Sequence, residues 1–303
     1  NYSNIISFVS AAQLKKNNMV KLPVVVQNQR DKTDVLANAL NFQRQLEEMA
    51  KAEEKNGGSY IRPIVLFQAE PKNAEDATTF EDIKTKLVKL SIPEEQIAIK
   101  TANINEIKDV DLMSRDCPVR FIITVNALKE GWDCPFAYIL ASLANKGSAV
   151  DVEQILGRVL RQPNVRQHKE QLLNLSYVFT SSSKFLQTLD NIVKGLNQAG
   201  FSNRDYRVVE TIVEEEKPAA PQPTQTILFP EPEREEQTPE ADEEIDVERV
   251  NLTESSDNLE DLKQKALEIN TEFEKKIEEA PFQFPIELEE KTNMQPMKEV
   301  FVE

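Results

Sequence analysis

Gln154-Ile155-Leu156-Gly157-Arg158-Val159-Leu160-Arg161 is the stretch on which the reading of this chain turns. It has the form Q-x-x-G-R-x-x-R inside an apolar run. Positions 154, 158 and 161 stand at i, i+4 and i+7, so a helix over about 150–160 brings all three side chains out on one side. Ile155, Leu156, Val159 and Leu160 anchor the other faces, and Gly157 leaves room for a neighbouring backbone or a ligand to come close. A glutamine and two arginines so placed can grip phosphate. Guanidinium stays charged, and its planar fork bonds phosphate oxygens in pairs. A surface helix with two solvated arginines has the same letters, so the choice rests on what stands upstream.

Residues 119–125 form a nearly continuous apolar run, the pattern of a buried parallel strand. A polar loop over 126–135 follows, then a second apolar strand over 136–143 and the arginine helix, with Pro163 beyond its end. Other elements fall in the same alternation. A helix is expected over 31–55, capped by Asp31 or Thr33, with Val35, Ala39, Phe42, Leu46 and Met49 near helical spacing and Gly57-Gly58 at its end. Further helices are expected near 76–90 and over 183–199, and strands over 61–67, 97–100 and 175–180. Strands alternating with helices predict an α/β domain whose mostly parallel sheet is flanked by helices. In such sheets ligands bind beyond the carboxyl ends of strands, where the loop 126–135 begins.

This order resembles motifs V and VI of the superfamily 2 helicases and translocases, with Ile64-Val65-Leu66-Phe67-Gln68 in the place of motif IV. The wording Ala127-Leu128-Lys129-Glu130-Gly131-Trp132-Asp133-Cys134-Pro135, followed by the run from Gln154 to Pro163, looks most like the Res subunit of type III restriction enzymes. It is also similar to DEAD/DEAH-type helicases of phage defence. The resemblance covers about residues 20–205. It implies a RecA-like fold, the second motor domain of a P-loop NTPase. In that family ATP lies between two such domains, and the first supplies the phosphate loop and the metal-binding carboxylate. Arg161 would be the arginine finger and Arg158 its companion, with Gln154 orienting the γ-phosphate or the attacking water. Gly131 and Asp133 match a Gly-x-Asp that faces the nucleotide, with Gly157 beside them. Thr124 matches the hydroxyl residue that contacts a nucleic-acid phosphate, and Lys129 is a candidate for another.

Plainer roles stand beside these. The arginines can pair with acids of their own domain. Thr124 can be an ordinary strand residue, Asp133 a turn residue capping Cys134-Pro135, and Lys129 a solvated surface lysine. The implied cofactors are ATP and Mg2+, held mainly by a missing N-terminal motor domain. The implied partners are that domain, double-stranded DNA and a methyltransferase (Mod) subunit, in the cytoplasm. Another superfamily 2 helicase in repair or phage defence, or a non-catalytic DNA- or protein-binding module, remains open.

Charge divides the chain. Residues 1–205 carry 26 Lys+Arg against 24 Asp+Glu, and residues 206–303 carry 10 against 28. The acidic balance therefore belongs to the tail, and a nucleic-acid surface on the first part has to be a local patch. Residues 1–30 read as a connector from upstream with an extended stretch over 21–27, 31–207 as the RecA-like domain, 208–252 as an acidic, partly disordered Pro/Glu-rich linker, and 253–303 as a helical segment. In that segment Leu259, Leu262, Ala266, Ile269 and Phe273 share a helix face. The two cysteines, Cys117 and Cys134, have no metal or disulfide spacing, which suits a reducing compartment. His168, the one histidine, is expected in solvent, and a single histidine excludes histidine metal clusters and catalytic triads. No G-x-x-x-x-G-K-[ST] phosphate loop occurs. No run is apolar and long enough to span a membrane, and no basic-then-apolar signal pattern stands at the start. The chain begins Asn1-Tyr2, as expected of a fragment.

Overall fold

The computed structural model describes residues 11–72, 78–125, 133–144, 149–189, 206–210 and 256–279. Seven strands make one sheet: β1 (Val24–Asn28), β2 (Ile64–Gln68), β3 (Ile97–Lys100), β4 (Phe121–Thr124), β5 (Ala137–Ser142), β6 (Ser176–Thr180) and β7 (Tyr206–Glu210). Their order is β3-β4-β2-β5-β6-β1-β7, and every pairing is parallel. A parallel sheet is built from crossovers that cover its faces, so its inner strands must be apolar on both sides. β2 (IVLFQ), β4 (FIIT) and β5 (AYILAS) are buried at every position, as their unbroken apolar runs require. This is the α/β arrangement expected from the sequence, a parallel sheet flanked by helices.

The helices are α1 (Ala11–Lys16), α2 (Lys32–Lys55), α3 (Phe80–Lys89), α4 (Ala149–Val159), α5 (which includes 183–189) and α6 (Ser256–Glu279). Asp31 caps α2 by accepting from Asp34 N at 2.8 Å. The helix ends at Lys55, and Gly57 leaves with φ +85°, where a side chain would be strained. A capping box between Thr79 and Asp82 starts α3.

Three expectations change. Val24–Asn28, inside the stretch read as a connector, is β1, paired to β6 on one side and β7 on the other. The run of valines reads as extended chain, but its partners lie far away in sequence, so its place between two strands of the sheet does not show there. β7 in turn runs past Arg207, where the composition shifts, so the sheet takes in the first residues of the expected linker; residues 211–252 lie outside the described ones. His168 is buried, not solvated. Its Nδ1 lies 3.1 Å from Glu53 Oε1, at the end of α2, and its backbone N–H donates to Asn174 Oδ1 at 2.7 Å. Part of the polar stretch around it is paired within the fold, through Glu53 and Asn174, while the ring's Nε2 is buried with no hydrogen-bond partner among the described residues.

α6 forms as the apolar spacing predicts. Leu262, Ala266, Ile269 and Phe273 are buried, and Leu262, Ala266 and Phe273 join the main core. Residues 280–303 of the expected helical segment lie outside the described residues. Among the described residues no helix is long and apolar enough to cross a membrane.

Candidate functional site

Parallel connectivity decides where the arginines go. α4 leaves the carboxyl end of β5 and must return to the amino end of β6. Its last turn therefore lies where β6 begins. There Ser176 Oγ, at the first position of β6, donates to Val159 O (3.1 Å) and to Lys21 O (3.0 Å). Asp133 and Cys134 stand just before β5, at the same edge. Arg158, Arg161 and Asp133 thus meet at the amino ends of the strands. Thr124 closes β4 at the carboxyl edge and is 1% exposed. The sequence reading put this chemistry at one carboxyl-end loop. Thr124 and Asp133 lie at opposite edges, since β4 ends at one and the parallel strand β5 begins at the other.

The arginines are not carried by one helix face. α4 ends at Val159, and Arg161 lies in an antiparallel bridge to Val20. Lys21 N donates to Leu160 O (2.6 Å) and Gln162 N to Met19 O (3.0 Å), so the chain is extended from Arg161 on and the third side chain is not carried by the helix face. The two guanidiniums still converge. Arg161 Nη1 lies 2.6 Å from Asp133 Oδ2, with side chains 57% and 51% exposed. Burial lowers the pKa of half-buried Arg158, the charge of Arg161 lowers it further, and Asp133 and Cys134 oppose both. Gln154 is exposed one turn earlier on α4. Gly157 is exposed too, and a Cβ built there would meet nothing within 4 Å, so packing inside this domain does not demand glycine. Lys129, Gly131 and Trp132 lie outside the described residues.

Sequence reasoning missed Lys21. It is fully buried, and its Nζ donates to Arg161 O and, at 3.3 Å, to Pro135 O. It also sits 4.4 Å from the centroid of the Tyr138 ring. Burial pushes its pKa down to about 7, against the opposing pull of Cys134 and Asp133, while burial pushes the Cys134 thiol up to about 12. A single lysine beside Leu22-Pro23 carries no local signal of such a position.

The carboxyl edge is polar and largely paired with itself. Ser142 Oγ donates to Gln68 Oε1 (2.9 Å), and Asn38 Nδ2 to Gln29 Oε1 (2.8 Å). Lys32 Nζ donates to Thr78 Oγ1 (3.1 Å) and lies 3.5 Å from Glu70 Oε2. Among the described residues no group of three or more His, Cys, Asp or Glu side chains is placed to hold a metal ion.

No protein-family model matches the sequence, and no curated protein matches it. Solved structures do align. The C-terminal domain of Saccharomyces cerevisiae Dbp5 bound to Gle1 and IP6 is 17% identical over 63% of this chain and 90% of that one, with TM-score 0.37. A fragment of a putative HsdR subunit of a type I restriction enzyme from Vibrio vulnificus YJ016 is 17% identical over 68% of this chain, with TM-score 0.37. The ATP-dependent type ISP restriction-modification enzyme LlaBIII bound to DNA is 13% identical over 66% of this chain, with TM-score 0.36. This chain spans 40% of the HsdR fragment and 16% of LlaBIII.

Proposed function

We propose that this chain is the second motor domain of an ATP-dependent DNA translocase or helicase, of the kind found in the Res subunit of type III restriction enzymes. The observation that carries this is that Arg158 and Arg161 are close enough to feel each other's charge at an open corner, with the Asp133 carboxylate paired to Arg161. A pair of guanidiniums that repel each other is poised for an anion. An ion pair as exposed as Arg161–Asp133 stabilises the fold by only about 0–1 kcal/mol, so a polyphosphate can displace the carboxylate at little cost. Transfer of a phosphoryl group spreads negative charge over its oxygens, and a positioned guanidinium stabilises that charge. Arg161, the more exposed of the two, is the finger. Arg158 and Gln154 hold the γ-phosphate or the attacking water.

The complementary half of the site comes from a first motor domain. That domain supplies the phosphate loop, which this sequence lacks, and binds most of the ATP and Mg2+. Gly131, Asp133 and Gly157 face the nucleotide cleft. Thr124 and Lys129 contact the phosphates of double-stranded DNA, a methyltransferase subunit reads the recognition sequence, and the assembly works in the cytoplasm. The missing phosphate loop is also what a non-catalytic binding module would have.

The deciding experiment measures ATP turnover and melting temperature together for Arg161→Ala in the motor protein that contains this chain. Loss of turnover with an unchanged melting temperature supports the finger. Turnover at the normal rate removes it and leaves the binding module.

A further inference from the structure

Resting on the reading of Arg161 as the phosphate-sensing arginine, we propose that Lys21 is a positioning residue that fixes where the Arg161 guanidinium stands relative to Asp133. The geometry is specific to those two segments. Arg161 lies on an extended stretch after α4, and Asp133 on the stretch before β5. Lys21 Nζ is buried between them and donates to the carbonyl of Arg161 itself and to the carbonyl of Pro135, two residues beyond Asp133. Its backbone closes the same corner: Lys21 N donates to Leu160 O at 2.6 Å, and Lys21 O accepts from Ser176 Oγ at 3.0 Å. One residue thus pins both arms of the ion pair to the amino ends of β5 and β6.

A buried ammonium is a costly way to fill space. An apolar side chain of similar volume usually serves stability as well or better. Among the polar partners found for Lys21 Nζ there is no carboxylate, only main-chain carbonyls, with the Tyr138 ring beneath. The cost is therefore borne where it sets the backbone under Arg161, and small misplacements of a catalytic group lower rates steeply.

Charged and titratable groups around Lys21 are Asp133 and Cys134 on the segment before β5, Tyr138 on β5 with Tyr177 of β6 behind it, and Arg158 and Arg161 at the end of α4. Burial raises the pKa of Cys134 to about 12 and lifts both tyrosines well above the usual phenol range. An inflection near neutrality at this corner therefore belongs to Lys21, whose pKa burial brings to about 7.

Two measurements test the proposal. In the motor protein, Lys21→Met should lower kcat for ATP by about 10–100-fold while changing KM by less than about twofold, since binding by the other domain is untouched. Combined with Arg161→Ala, it should slow turnover no further. In this chain labelled with 15N-arginine, the Arg161 Nε–H resonance, assigned by its loss in Arg161→Ala, should move in Lys21→Met while that of Arg62 stays in place. A pH titration of the unaltered chain needs no variant, and the same resonance should follow one inflection near pH 7. If Lys21→Met keeps kcat, or if the Arg161 resonance ignores both the substitution and the titration, the proposal is overturned even where Arg161→Ala proves inactive. A lowered melting temperature with all arginine resonances displaced makes Lys21 a structural plug and also overturns it. If Arg161→Ala turns over ATP normally, the finger falls, and the resonance measurements still decide whether Lys21 sets the pair.

Discussion

Arg62 and Arg161 are the same residue put to opposite uses. Arg62 is 1% exposed, and its guanidinium is spent on the protein's own backbone. Nε donates to Val119 O (2.8 Å), Nη2 to Leu112 O (2.7 Å), and Nη1 to Ser114 O (2.9 Å) and Tyr60 Oη (3.0 Å). It ties the loop before β4 to the entry of β2. Arg161 is more than half exposed, with one carboxylate in contact. A guanidinium surrounded by carbonyls cannot turn to a ligand. One that shares a solvated ion pair can. The difference separates an arginine that builds the domain from one the domain presents.

Breaking each arginine should therefore break a different property. The largest effect is on rate. Arg161→Ala in the motor protein should reduce ATP turnover by about 10³–10⁵-fold with an unchanged melting temperature. Arg161→Lys should remain far below the native rate, because an ammonium lacks the planar fork. A native rate in either variant would place Arg161 among ordinary surface arginines.

Arg62→Met should do the reverse. It leaves the carbonyls of Leu112, Ser114 and Val119 without their donor, at a cost of about 3–4 kcal/mol in unfolding free energy. Denaturant titration of this chain measures it. A loss under about 1 kcal/mol would mean that water replaces the guanidinium and that the clamp is not structural.

Arg120 lies between the two extremes and gives the comparison a pH axis. Its guanidinium forks onto Glu47, with Nε 2.9 Å from Oε2 and Nη2 2.9 Å from Oε1. Burial alone would raise the Glu47 pKa, but the bonds from Arg120, Lys51 and Gln43 outweigh it and hold the carboxyl down at about 2. A carboxyl depressed in the folded state adds stability above its unfolded pKa, about 4.3, and loses it as pH falls toward the folded value. The native chain should lose roughly 2 kcal/mol from this pair between about pH 5 and pH 2. Glu47→Gln should lack that part of the acid dependence. Parallel stability curves for the two over this range would remove the pair as a source of acid lability.

How much of this the sequence displays depends on whether the signal is local. The apolar runs of β2, β4 and β5 and the cap at Asp31 are local, and they stand where they were expected. Arg161 and Asp133 pair at one edge of the domain, a contact that the helical spacing of 154, 158 and 161 does not show. The valine run of β1 reads as extended chain, but its place inside the sheet does not show, because the strands that flank it come much later in the chain. Lys21 is invisible for the same reason, since Pro135 and Arg161 are its partners only after the sheet has formed. His168 misleads because its neighbours are polar, and only the fold shows that Glu53 and Asn174 pair with that segment. The helix ends within one residue of where it is expected, but the spacing reads Arg161 as continuing its face. Arg161 has helical spacing from Arg158, but it lies past the helix end, where Val20 draws it into an antiparallel bridge.

The smallest expected effect gives the sharpest view of the open corner. Gly157 lies inside α4, where glycine is less favourable than alanine by about 0.5–1 kcal/mol. A Cβ there meets nothing within 4 Å, so no packing opposes the change. Gly157→Ala should raise the unfolding free energy of this chain by about that amount, seen as a slightly higher melting temperature. In the motor protein the same substitution should lower ATP turnover, if a phosphate or the facing domain approaches the helix at that point. A more stable chain with a slower motor would mean that the space over Gly157 is kept clear for something outside this domain. A more stable chain with a native rate would confine the corner's function to the arginines, and a less stable chain would show that the helix here is packed against residues not yet described.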